Sequence, residues 1–213
     1  MIWLLSCNAQ RVPITPQIVG LLTTALSAES DICVRLTTVL AIETMLPHCE
    51  NSLTIMPSIS SIVAATAPAL YRLTDECIDV ESRSSCLDLL SNLIAYVGVT
   101  GGTLSNEVLD TIIAPLPSVW DNAVNQNLLL KRNVLTMLSC IATFIGPDQA
   151  SILHPLALPV IDDCFAREEN MFLVGDALKV WWVFVRLSKT YDAMLARLFT
   201  RAVELSKDLE NLM

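Results

Sequence analysis

Residues Asn170–Lys189 read NMFLVGDALKVWWVFVRLSK, and the fold class turns on this stretch. Phe172, Gly175, Leu178, Trp182 and Val185 fall at helical spacing, and Val174, Trp181 and Phe184 widen the apolar stripe. Only Asp176, Lys179 and Arg186 interrupt it with charge. A helix this apolar must be covered on most sides. The flanking chain has to supply the cover.

It supplies helices in pairs. Thr15 caps a predicted helix at 16–27, with Pro16 at its first position. A second starts near Asp31 and runs to about Leu46, with Val34, Val39, Ile42 and Met45 inward. The pattern continues with a Ser- and Ala-rich helix at 57–73 and an apolar one at 80–97, which GVTGGT stops. A helix at 105–120 carries Pro115 and Pro117 and should kink or break. Further helices are predicted at 126–145, 148–165 (with Pro155 and Pro159 inside) and 191–205, where Met194, Leu195, Leu198, Phe199 and Val203 face inward. LSKDLENLM reads as a turn and the start of another helix.

The second helix of each pair begins near Asp31, Asp79, Asn125 or Asn170, a spacing of about 45–48 residues. Helix pairs at about 40–47 residues are the signature of HEAT and armadillo arrays, in which stacking buries faces that one pair leaves open. The expectation is an all-α chain, an α-α superhelix of HEAT/armadillo type. It is read as one solenoid domain over 1–213, with repeats at 16–47, 57–97, 105–145 and 148–188 and a partial one at 191–213. Half-units at both ends suggest a piece of a longer solenoid.

Composition agrees. The chain has 213 residues, 53% of them apolar and 16% charged, so a large core is available. A mean hydropathy of +0.55 calls for a membrane test. Leu128–Ile145 carries Lys131, Arg132 and Asn133, and Met171–Leu187 carries three charges, so no membrane span is expected. No basic residue precedes the short MIWLL run, so no signal peptide is expected either. Seven cysteines without a CxxC pair suggest reduced, buried thiols. Residues 1–130 hold 12 acidic and 4 basic side chains, and 131–213 hold 10 and 9. The acidic half argues against nucleic-acid binding and would attract basic partners.

Catalytic and metal-binding patterns are weak. His48–Cys49 lacks further ligands nearby, and four are usual for zinc. GVTGGT lacks the Lys-Ser/Thr of a phosphate loop. Asp162–Asp163 and Glu168–Glu169 flank a turn and read as solvated, and Trp181–Trp182 reads as core plus partial surface. No enzyme activity and no cofactor are expected.

Several stretches carry a resemblance. ESDICVR at 29–35 resembles the opening of a HEAT second helix, an Asp followed by a Val-Arg pair. VRLTTVLAIETML, APLPSVWDNAVNQNLLLKRNVLTMLSCIATFIG, ILHPLALPVIDDCF and FLVGDALKVWWVFVRLS together resemble the importin-β superfamily of nuclear transport receptors, specifically the middle-to-C-terminal repeats of the importin-eleven type. The matching positions are Pro115, Leu116 and Trp120, then Leu158–Ile161, then Gly175, Asp176, Leu178 and Trp181 or Trp182. The resemblance implies a karyopherin segment that shuttles between nucleus and cytoplasm. It implies protein cargo as partner, with Ran and nucleoporins engaged through the full-length receptor. It also implies that second helices line a concave face. Asp31, Glu43, Asp79, Glu81 and Asp88 would then meet a basic cargo segment, or else serve as caps and solvated surface. The alternative is a HEAT scaffold from a phosphatase-regulatory or vesicle-coat assembly.

Overall fold

The computed structural model describes residues 2–8, 15–47, 59–123, 127–147, 150–188 and 193–211. The described elements are α1 (Ile2–Cys7), α2 (Pro16–Ala28), α3 (Ile32–Met45), α4 (Ile59–Glu76), α5 (Val80–Val99), α6 (Asn106–Ile113), α7 (Leu116–Asn122), α8 (Leu128–Ile145), α9 (His154–Ala166), α10 (Val174–Leu187) and α11 (Ala193–Asn211). Turns of 3₁₀ helix at Ala150–Leu153 and Glu168–Leu173 lead into α9 and α10. The chain forms two compact units, Met1–Leu116 and Pro117–Met213.

In the first unit, α2 packs on α4 and α4 on α6, while α1 packs on α3 and α3 on α5. The hairpins α2–α3 and α4–α5 join the two layers. In the second unit, α9 packs on α11 and α8 on α10, and α10 bridges the layers by touching both α9 and α11. Within each unit these contacts join a helix to the helix two places further on, which is the contact pattern of an α-α helical repeat.

The helix ends follow their chemistry. Thr15, Asp31, Asp79 and Ser105 accept from the backbone N–H groups of Ile18, Cys33, Ser82 and Val108, capping α2, α3, α5 and α6. At the end of α5, Gly101 has φ 69°, its N–H donates to Gly98 O, and Gly102 N donates to Val97 O at 2.9 Å. These are the two bonds of a Schellman stop, and the positive φ explains the glycine. Pro115 and Pro117 break the predicted helix at 105–120 into α6 and α7.

Packing corrects several details. Phe172 lies in the 3₁₀ turn and is 74% exposed, so α10 starts only at Val174. The buried face of α10 is Val174, Ala177, Val180, Trp181 and Phe184, with Gly175 exposed and Trp182 55% exposed. The widening residues are therefore the true core stripe. Helix α11 runs unbroken through 205–211, where a turn was expected, and Phe199 is exposed instead of inward. Its ring still packs on Trp181, whose Nε1–H donates to Leu195 O. In α4 the small residues Ser61, Ala64 and Ala65 face solvent; Val63, Thr66, Ala67 and Leu70 are buried.

One described helix, α8, is long and apolar enough to cross a membrane. In the second unit its Leu130, Val134, Leu135, Leu138 and Ile141 are buried.

Candidate functional site

Two surfaces bring charged side chains together. The first lies on α3 and α5. Of the five acidic residues singled out from sequence, Asp31 and Asp79 are exposed, and their carboxylates are engaged as N-caps at 2.8 and 2.7 Å. The bonds to Ser82 hold the Asp79 carboxyl below its ordinary value. Glu81 is exposed in the first turn of α5, where a negative charge suits the helix dipole. Glu43 on α3 and Asp88 on α5, two helices that pack together, lie near enough for their charges to interact. Burial pushes the Glu43 carboxyl up to about 7, and the negative charge of Asp88 adds to the effect. Both are half-buried, and Ser84 Oγ lies 3.3 Å from Asp88 Oδ2. Leu40, one turn from Glu43 on the same face of α3, is exposed.

The ends of α3 and α5 share a device that sequence reading missed. Arg35 and Arg83 each follow a capping Asp by four residues and reach the end of α4. Arg35 is buried and pairs with Glu76; Arg83 Nε donates to Thr74 O at 2.9 Å. The carbonyl end of a helix attracts cations, so both arginines stabilise the corner. The recurring Asp-x-x-x-Arg at 31–35 and 79–83 was the available signal.

The second surface lies in the second unit. Trp120, Pro155, Leu156, Pro159 and Val160 wall a groove of about 640 Å³ that Lys131 also lines. Lys131 Nζ lies 5.0 Å from the Trp120 ring centroid and donates to Asn170 Oδ1 at 3.0 Å. Asn170 Nδ2 in turn donates to Asp163 Oδ2 at 3.0 Å. Asp162 and Asp163 are not freely solvated: they pair with Arg197 at 2.9 Å and Arg167 at 2.6 Å. Glu169 also meets Arg167, at 3.4 Å.

Other candidates stay apart. The His48–Cys49 pair lies outside the described residues, and His154 packs edge-on against Phe184. Among the described residues no group of three or more His, Cys, Asp or Glu is placed to hold a metal. Among the described residues six cysteines are free: Cys77, Cys86 and Cys164 are buried, Cys140 is half-buried, and Cys7 and Cys33 are exposed against expectation. Burial pushes the Cys86 and Cys164 thiols up to about 12, which leaves them unreactive.

The fold and these surfaces define an all-helical protein of the α-α repeat class. Compared with family models, curated proteins and solved structures, the chain matches none.

Proposed function

We propose that this chain is a protein-binding scaffold and that the α3–α5 face of its first unit takes a basic segment of a partner. The observation that carries the reading is the pairing of Glu43 with Asp88 across two stacked helices, with exposed Leu40 beside them. Two half-buried carboxylates repel one another, and the positive charge of a partner's lysine or arginine offsets that repulsion. The exposed leucine adds apolar contact. The layered fold is the kind that presents extended helix faces to partner chains, an argument from architecture and not from chemistry. In this reading the chain has no catalytic role and binds neither nucleic acid nor cofactor, and α8 is a core helix.

The narrower reading is a segment of an importin-β-like receptor that moves cargo between cytoplasm and nucleus under control of Ran. It rests on the collinear motifs in the sequence. Nucleoporin and Ran contacts would then belong to the full-length receptor.

The general reading is tested with a fluorescein-labelled lysine-rich peptide and the double variant Glu43→Gln, Asp88→Asn, which removes charge without adding bulk. Affinity should fall at least about fivefold. Unchanged affinity with helicity intact by circular dichroism would refute the α3–α5 assignment. Release of bound cargo by GTP-loaded Ran, assayed on the parent protein, tests the transport reading separately.

A further inference from the structure

We propose that the groove of the second unit binds an apolar partner segment carrying a single acidic side chain, whose carboxylate pairs with Lys131. This site is independent of the α3–α5 face and of the function assigned there.

Lys131 is only 9% exposed, and its bond to Asn170 is itself buried. An ammonium has three N–H donors, and here one of them has an acceptor, a neutral amide oxygen. The Trp120 face contributes a cation–π contact. Among the described residues no carboxylate lies within ion-pair distance of Nζ. Asp163 is reached only through Asn170 and is already paired with Arg167. Helix geometry worsens the balance, because Lys131 lies near the N-terminal end of α8, where the dipole disfavours a cation. The Asn127 cap makes no side-chain bond there. A buried ammonium held by one neutral acceptor and a ring face has N–H donors to spare. It also lines an open groove. An incoming carboxylate supplies the missing acceptor in the place where it counts most.

The groove also sets the rest of the ligand. Its wall of Trp120, Pro155, Leu156, Pro159 and Val160 suits aliphatic side chains flanking the acid. Asp121, Asp163 and Glu169 lie on the lining against Lys131 and Arg167, and Arg167 is already paired with Asp163 and Glu169, so carboxylates outnumber cations and a polyacidic segment is repelled. One carboxylate between apolar residues is the matching chemistry.

The test uses labelled pentapeptide amides of sequence GLELG, GLQLG and GEEEG, titrated against the whole chain by anisotropy. GLELG should bind at least about fivefold more tightly than GLQLG and than GEEEG. Lys131→Met should abolish the difference between GLELG and GLQLG. Pro159→Glu, a change on the exposed wall, should weaken GLELG and keeps the test open if the buried substitution disturbs folding. Equal affinity for GLELG and GLQLG, no binding of GLELG up to about 2 mM, or a preference that survives Lys131→Met would each overturn the proposal.

Discussion

Glu43 is the residue whose behaviour most directly reports its surroundings. An ordinary glutamate titrates near 4.5; in this fold the Glu43 carboxyl is pushed up to about 7, first by burial and then by the negative charge of Asp88. Between those values the folded chain holds a proton that the unfolded chain has released. The contribution to stability is therefore full below pH about 4.5 and is lost as pH rises through about 7. Glu43→Gln should flatten this decline and be the more stable form at pH about 8, as read by denaturant unfolding across that window. Parallel profiles for the two proteins would place Glu43 in water. Asp31 gives the contrasting case. Asp31→Ala should cost about 1 kcal/mol through the lost cap, whereas Asp31→Asn, which keeps the acceptor, should cost little. Thermal denaturation of both variants separates capping from charge. Capping by Asp31 was open in the sequence as one of two readings, because the residue type and its place before a helix permit it. The meeting of Glu43 with Asp88 was not, because it depends on the register between α3 and α5.

At the scale of elements, the stops and breaks were the legible part. Proline chemistry placed the break between α6 and α7, and the glycine cluster placed the end of α5. Gly101→Ala should cost about 1–2 kcal/mol, since φ 69° is costly for any residue with a Cβ. Gly102→Ala should also destabilise, because its new Cβ would sit 2.9 Å from Val97 Cγ1. If both variants melt with the parent protein, the Schellman stop is not stabilising. Helix phase was less legible. In α10, apolar residues surround the helix, and the 3₁₀ turn at Glu168–Leu173 moved the start, so the pattern could not choose between stripes. Phe184 settles the choice. It is fully buried, and Phe184→Ala should cost about 3–5 kcal/mol by chemical denaturation. Trp182→Ala on the exposed side should cost far less, and equal losses would contradict the assigned core face.

For the whole molecule, the all-helical fold class was the legible part, carried by apolar helices that recur in pairs along the sequence. It follows from a physical need that survives errors in any single helix boundary, the need of each apolar pair for a neighbour. The Lys131 groove was hidden for the opposite reason. Lys131, Asn170 and Trp120 come from separate elements, and a lysine inside an apolar helix reads first as an interruption. The central claim is that the α3–α5 face binds a basic partner segment. The most direct measurement is a titration of the isotopically labelled chain with a lysine-rich peptide, following backbone amide shifts at about 50 and about 300 mM salt. Shifts clustered on residues 40–44 and 84–88 that shrink at the higher salt are the predicted result. Shifts elsewhere in the chain, or none at low salt, would contradict the claim.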